Sequence, residues 1–180
     1  METAGFSTSF RAWAVMVLAA ALTYGCATYS GSNLVAGKST AAEVESTMGA
    51  PAERMDAAGG EKVWFYPRGP AGRQTFAVRI GPDGVVRGVE QRLTEANIAK
   101  LAFGNTTEKD ARALLGPPNL VYNYPRIKRS FWEYKMTAGE NQTSNLKILA
   151  LEFSADGILR GSTFQDDVAG FDLGGACLTC

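Results

Sequence analysis

The residues that could carry chemistry in this chain are few, and the pair with the clearest spacing lies in its last residues. Cys177 and Cys180 have the Cys-x-x-Cys spacing of redox centres and of zinc ligands. A redox site of that kind places its first cysteine at the start of a helix, whereas this pair ends a glycine-rich tail. A zinc site needs four ligands, and the chain holds three cysteines and no histidine. We therefore expect a local disulfide between Cys177 and Cys180 or a loose tail, and no metal site.

General acid–base catalysis lacks its usual groups in this sequence. No histidine is present, and the only adjacent carboxylates are Asp166 and Asp167, a pairing typical of a solvated turn. No nucleophile motif occurs in a suitable context, and the glycine-rich stretches at 31–37 and 81–84 have the form of turns rather than phosphate loops. The 18 basic and 18 acidic side chains balance, which argues against general nucleic-acid binding. We predict a non-catalytic protein without a cofactor.

A cluster of basic and aromatic residues is better suited to binding than to reaction. It lies in the segment YNYPRIKRSFWEYK, which begins at residue 122. Exposed aromatic and arginine side chains are enriched at protein interfaces, and the same mixture could meet anionic lipid headgroups. The alternative is a solvated basic turn before a strand whose aromatic residues are partly core. The candidate interface residues are Tyr122, Tyr124, Arg126, Lys128 and Arg129.

A helix pattern that occurs twice must position these residues. Residues 37–51 and 104–118 read GKSTAAEVESTMGAP and GNTTEKDARALLGPP. In each copy a threonine, Thr40 or Thr107, precedes an acidic residue by three positions, which is the spacing of a capping box. Each copy also ends in glycine followed by proline, the usual end of a helix. Both stretches therefore predict a short amphipathic helix.

The repetition continues downstream of each helix. A Trp-x-Tyr strand follows each helix, at Trp64 and at Trp132, and an Asp-Gly turn follows each strand, at Asp83 and at Asp156. Since the order is kept, we predict an α+β protein made of two tandem repeats. Each repeat consists of one or two helices and a three-stranded antiparallel meander. The second repeat has an additional helix from Thr94 to Phe103, and residues 120–124 form a brief edge strand.

The first 25 residues have the pattern of a targeting segment. Arg11 precedes an uncharged apolar run that is too short for a confident membrane span. The run ends in Leu-Thr-Tyr-Gly before Cys26, which resembles the lipobox of bacterial lipoproteins, where the cysteine is acylated. The resemblance also implies sorting to the outer membrane, because Ala27 is not aspartate. The alternative is an ordinary signal peptide or signal anchor in which Cys26 has no role.

These patterns divide the chain into five parts. We predict a lipoprotein signal peptide (1–25), a tether (26–36), a first repeat (34–93), a second repeat (94–165) and a glycine-rich tail (166–180).

The second helix copy resembles the opening of the BamE/SmpA/OmlA family of small outer-membrane lipoproteins. That family has two helices packed on a three-stranded antiparallel sheet, and a tandem pair of such units also resembles the β-lactamase inhibitor protein. The resemblance implies a location on the periplasmic face of the outer membrane, with envelope proteins such as the barrel-assembly machinery as partners. The matching residues are Ile98, Leu101, Gly104, Thr106, Leu115, Gly116 and Pro118.

The expected function is therefore protein binding by a lipid-anchored periplasmic protein in the assembly or maintenance of the cell envelope. Two alternatives stay open. One is an inhibitor-like module that docks a concave sheet face on a periplasmic or secreted enzyme. The other is a carrier of a small ligand or lipid, with a dry pocket between helices and sheet.

Overall fold

A computed structural model describes residues 30–68, 73–137 and 146–167 of the chain. Cys26, Cys177 and Cys180, together with the predicted signal peptide and the polar loop at 138–145, lie outside these ranges. The elements in chain order are α1 (Ala41–Met48), β1 (Glu53–Asp56), β2 (Lys62–Arg68), β3 (Gln74–Ile80), β4 (Val86–Gln91), α2 (Glu95–Ile98), α3 (Glu108–Leu115), β5 (Leu120–Tyr124), β6 (Arg129–Thr137), β7 (Leu146–Ser154) and β8 (Leu159–Asp166).

Helices α1 and α3 begin as the sequence predicts. The Thr40 hydroxyl accepts a hydrogen bond from the Glu43 backbone N–H at 3.3 Å, and the Glu43 carboxylate accepts one from the Thr40 N–H at 2.7 Å. In the second copy, Thr107 and Asp110 exchange the same two bonds at 3.1 and 3.0 Å. Both capping boxes are therefore confirmed, and each satisfies backbone donors that a helix start would otherwise leave free.

Each helix is followed by a four-stranded antiparallel sheet rather than by three strands. The strand orders are β1-β2-β3-β4 and β5-β6-β7-β8, so each sheet is a simple meander. The edge strand at 120–124 is confirmed as β5. The three-strand prediction is wrong because it lacks β1, whose four residues Glu-Arg-Met-Asp carry no alternating apolar pattern. Pairing with β2 makes this stretch a strand, since Arg54 lies opposite Trp64 and Met55 opposite Val63.

The predicted helix from Thr94 to Phe103 is shorter in the structure. Helix α2 ends at Ile98, and the chain then turns. The Thr106 hydroxyl accepts a hydrogen bond from the Ala102 N–H at 2.8 Å, which gives the backbone an alternative to a further helical turn.

The Trp-x-Tyr strands place their aromatic rings on the inner face of each sheet, where they pack on the helix of the same repeat. Because side chains alternate along a strand, Trp64 and Tyr66 share this face, as do Trp132 and Tyr134. The first core contains Val44, Met48, Trp64, Tyr66, Val78, Ile80 and Val86. The second contains Leu93, Ala111, Leu115, Trp132, Tyr134, Met136, Leu149, Leu151, Phe153 and Leu159.

The end of α3 lies against the outer face of the first sheet, so the repeats pack on one another. Phe65 and Thr75 are buried on this face, and a Cβ atom built on Gly116 would lie 2.5 Å from Thr75 Cγ2. Arg112 of α3 donates a hydrogen bond to Glu53 of β1 at 2.7 Å. The first sheet is therefore covered on both faces, by α1 and by the second repeat.

A buried ion pair also joins the repeats. Arg73, just before β3, donates to the carboxylate of Asp167 and to the Met136 carbonyl at 3.3 Å. The sequence suggested a solvated turn at Asp166–Asp167, but this is wrong for Asp167, which is 2% exposed. The partner that buries it lies 94 residues away, so no local pattern could indicate it. Within the described ranges, no helix has the length and apolar character needed to cross a membrane.

Candidate functional site

The candidate site is the hairpin formed by β5 and its turn, residues 120–129, which we call the basic hairpin. Its strand pairs antiparallel with β6, so Tyr122 lies opposite Phe131 and Tyr124 opposite Arg129. A short 3-10 turn, Pro125–Ile127, joins the strands. Proline suits the start of this turn because its ring fixes φ near −65°.

The apolar residues of the basic hairpin are unusually exposed. All five residues of β5 are exposed, although none of them is charged. Ile127, at the tip, is 60% exposed. A contiguous group of large apolar side chains on a surface usually marks a binding site. The exposed members are Leu120, Val121, Tyr122, Tyr124 and Ile127.

One aromatic side chain of the hairpin, Tyr124, packs against the neighbouring strand and stays half exposed. The Tyr124 ring meets the half-buried Phe131 ring edge-on, with centroids 5.6 Å apart and planes at 84°. Edge-to-face pairs of this kind are favourable by about 0.5–1.5 kcal/mol beyond their buried area. The contact restrains the Tyr124 ring, and a restrained side chain loses less entropy when its surface is covered.

Three cations follow the exposed strand. Arg129 donates to the Glu152 carboxylate at 2.7 Å and is half-buried. Arg126 and Lys128 are exposed, and neither forms an ion pair with a carboxylate of the described residues. The tip of the hairpin therefore combines positive charge with apolar surface, and no acidic side chain lies in residues 120–129.

Lys128 has a backbone conformation that disfavours a side chain. Its φ is 52°, and it is the only non-glycine residue with positive φ in the described ranges. The corresponding turn of the first repeat has Gly60 at this position, with φ 76°. A non-glycine residue in the left-handed region costs about 1 kcal/mol. The second repeat thus has a lysine where the first repeat, aligned at Trp64 and Trp132, has glycine.

An open cavity of about 410 Å³ lies beside the basic hairpin. Lys128 and Arg129 line one side of it, and Glu108 at the start of α3 lines another. The Glu108 carboxylate accepts a hydrogen bond from the Ser130 hydroxyl at 3.0 Å, which ties β6 to α3. The cavity is mixed in polarity and open, unlike the dry pocket expected of a carrier.

The carboxylates with clearly shifted pKa values lie in turns and helix caps, and none of them belongs to the basic hairpin. The Val85 backbone N–H beside Asp83 lowers the pKa of that carboxyl, and the Ser154 hydroxyl lowers the pKa of Asp156. The Thr107 hydroxyl lowers the pKa of Asp110 in the second capping box. These groups stabilise local structure through hydrogen bonds. Across the described ranges, no group of three or more acidic or cysteine side chains could hold a metal ion.

The structure brings the five predicted interface residues into one hairpin, and their role in binding stays a prediction. The prediction from the sequence did not include three neighbours, Leu120, Val121 and Ile127, because apolar residues in a strand pattern normally predict burial. The signal that could have found them is the absence of any charge from an edge strand. Trp132 and Tyr134, in contrast, are buried core residues.

The chain matches no protein-family model and no curated protein. Two solved structures show a distant likeness. A DUF4309 family protein from Bacillus subtilis is 15% identical, with a TM-score of 0.28 over 75% of this chain and 83% of that protein. A "putative beta-lactamase inhibitor protein" from Streptococcus mutans is 15% identical, with a TM-score of 0.30 over 83% of this chain and 96% of that protein. TM-scores this low do not establish a shared fold, so neither likeness bears on function.

Proposed function

We propose that this chain is a non-catalytic, lipid-anchored protein of the periplasmic face of the outer membrane, and that it binds a protein partner through the basic hairpin. The acylated residue is Cys26. The partner is a component of envelope assembly or maintenance, as the resemblance of residues 98–118 to the BamE/SmpA/OmlA family implies.

The observation that supports binding is the composition of an exposed hairpin. Burial of apolar surface is favourable by about 25 cal/mol per Å². A partner that covers the exposed apolar side chains of β5 therefore gains free energy of binding. The adjacent cations, Arg126 and Lys128, add steering and selectivity for an oppositely charged surface. Tyrosine and arginine are also the residues that most often dominate binding energy at interfaces.

The hairpin of the first repeat argues against the interpretation that the side chains of the second turn serve only to close its hairpin. Strands β1 and β2 are joined by Ala-Ala-Gly-Gly-Glu, from Ala57 to Glu61, and this turn also contains a 3-10 segment, Ala58–Gly60. This hairpin therefore closes without a large apolar side chain. The larger side chains of the second turn need another explanation, which binding provides.

The first experiment tests the anchor. Intact mass is measured on the membrane-extracted full chain, with Cys26→Ala beside it. We expect a mass increase from acyl chains that the variant loses, together with release of the variant from the membrane. An unmodified wild-type cysteine would contradict the lipoprotein assignment.

The second experiment tests the partner in cells that express the full chain. A photo-crosslinking amino acid replaces Ile127 at the tip of the basic hairpin or, as the matched control, Ala58 in the turn of the first hairpin. We expect a protein adduct from position 127 and not from position 58. Mass spectrometry of the adduct distinguishes an envelope component from a hydrolase, which would favour the inhibitor reading. Equal adducts from both turns, or none, would contradict the assignment of the site.

A further inference from the structure

Strand β5 differs from the other three outer strands in having no charged residue. An outer strand presents unpaired backbone N–H and C=O groups, and proteins usually protect such edges with charges or by shortening them. β1 has four residues and includes Glu53, Arg54 and Asp56. β4 contains Arg87 and Glu90, and β8 contains Arg160 and Asp166.

The chain itself covers part of two other edges. The Gly37 N–H donates to the Val86 carbonyl at the start of β4 at 2.8 Å, and the Gly104 N–H donates to the Leu159 carbonyl at the start of β8 at 2.8 Å. Strand β5 pairs with β6 on one side, and all five of its residues are exposed. Among the outer strands in the described ranges, β5 is thus the one with neither charge nor cover.

We propose that β5 binds an extended acidic segment of the protein partner as an added strand. Main-chain hydrogen bonds of β5 would hold the segment, as in other cases of strand addition. Leu120, Tyr122 and Tyr124 share one face of β5 and contact side chains of the added strand. This inference rests on the proposed function, and it specifies the chemistry of the partner.

The charge of the neighbouring turn identifies the occupant as acidic. Arg126 and Lys128 follow β5 directly and have no carboxylate partner among the described residues, so an added strand would end beside two unpaired cations. Carboxylates at that end of the segment would neutralise them. A second copy of β5 would supply no carboxylate, because Leu-Val-Tyr-Asn-Tyr contains none. An anionic membrane would use the cations but would not need an unpaired strand edge.

The test maps the register of the contact in cells. A photo-crosslinking amino acid replaces each of the residues 120–124 in turn in the full chain, and the crosslinked residues of the partner are identified by mass spectrometry. We expect successive positions to reach successive residues of a single partner segment that contains several Asp or Glu residues. Such a ladder is specific to paired strands, since a helix would give contacts three or four residues apart.

Several results would overturn the inference while leaving the proposed function intact. They are a protein adduct at Ile127 without adducts at 120–124, scattered or helical contacts, or a segment without carboxylates. Adducts only to lipid, or only to a second copy of this chain, would overturn both the inference and the proposed function. The absence of any protein adduct from the hairpin would instead contradict the proposed function.

A charge reversal tests the acidic character separately. Arg126→Glu with Lys128→Glu is expected to lower the adduct yield at Tyr122 by about tenfold or more, because removal of complementary charge slows association. Lys62→Glu, an exposed lysine of the first hairpin, is the matched control and should leave the yield unchanged. An unchanged yield in the double variant would overturn the acidic assignment. Circular dichroism confirms that both variants are folded.

Discussion

The two repeats share a backbone plan but differ at the places where each meets something else. The first repeat has its outer sheet face covered by the second repeat, and its hairpin turn is Ala-Ala-Gly-Gly-Glu. The second repeat has an outer face with Phe131 and Glu133 only half-buried, and its hairpin turn contains large apolar and basic side chains. The comparison shows that the two repeats share their helix caps and inner faces, whereas their outer faces and turns differ.

The largest difference between the repeats is expected in the loss of stability when the glycine that ends each helix is replaced. Gly49 and Gly116 both have positive φ, at 81° and 86°, with ψ of −170°, so alanine at either position would cost about 1–3 kcal/mol in backbone strain. At Gly116 the new Cβ would also lie 2.5 Å from Thr75 Cγ2, whereas nothing lies within 4 Å at Gly49. Overpacking of this kind costs about 1–3 kcal/mol more.

We therefore expect Gly116→Ala to lower the free energy of unfolding more than Gly49→Ala does. Chemical denaturation of the two variants, both in the Cys26→Ala background, measures the difference. Equal losses would show that the end of α3 does not pack against the first sheet as described.

The second difference concerns the equivalent core tyrosines of the two repeats, Tyr66 and Tyr134. The Tyr134 hydroxyl donates to the Gly116 carbonyl at 3.0 Å, whereas the buried Tyr66 hydroxyl has no hydrogen-bond partner in the described ranges. Tyr134→Phe should cost about 1–2 kcal/mol, since it leaves a buried carbonyl without its donor. Tyr66→Phe should be close to neutral. The same denaturation experiment applies, and a larger loss for Tyr66→Phe would reverse the comparison.

The third difference tests whether Lys128 is kept at the expense of stability. Lys128→Gly should raise the free energy of unfolding by about 0.5–1 kcal/mol, because glycine accepts positive φ without strain. Gly60→Lys, in the other turn, should lower it by a similar amount. If Lys128→Gly destabilises the protein, the lysine side chain has a structural role that the contacts do not show.

The smallest effect on the free energy of unfolding is expected from a change in pH. The Thr107 hydroxyl holds the pKa of Asp110 below its ordinary value of 3.8 in the folded chain. A carboxyl with a lowered folded pKa contributes stability above pH 3.8 and loses it as the pH falls through the folded pKa. Because the group is well solvated, the contribution is only a few tenths of a kcal/mol.

The free energy of unfolding, measured from pH 5 to pH 2, should therefore fall less steeply in Asp110→Asn than in the wild type. Glu43→Gln, in the capping box of the first repeat, is measured beside it. An identical slope in wild type and Asp110→Asn would show that this carboxylate contributes nothing to the acid sensitivity.

Local patterns predicted the parts of this fold that depend on neighbouring residues. The capping boxes at Thr40 and Thr107 and the alternation around Trp64 and Trp132 need only a few positions of sequence, and all four are present in the structure. Strand β1 escaped prediction because its status depends on pairing with β2, which a charged stretch of four residues does not indicate.

The candidate site was predictable in part for the same reason. Its cations and tyrosines are visible as a cluster in the sequence. Whether Leu120 and Val121 are buried depends on what covers β5, and whether Lys128 is strained depends on the turn type. Burial depends on packing and strain depends on backbone conformation, so both are visible in the structure and not in the sequence.

The buried pair of Arg73 and Asp167 has a consequence for how the molecule unfolds. Both charges lie in the interior at the junction of the repeats. Arg73 depends on the second repeat for its counter-ion, whereas Asp167 also lies 4.0 Å from the ammonium group of Lys135 in β6. If the second repeat melted first, Arg73 would lose its counter-ion, which is strongly unfavourable for a buried charge. The junction therefore couples the two halves, and heating should melt them in a single cooperative transition rather than one after the other as in a loosely linked array.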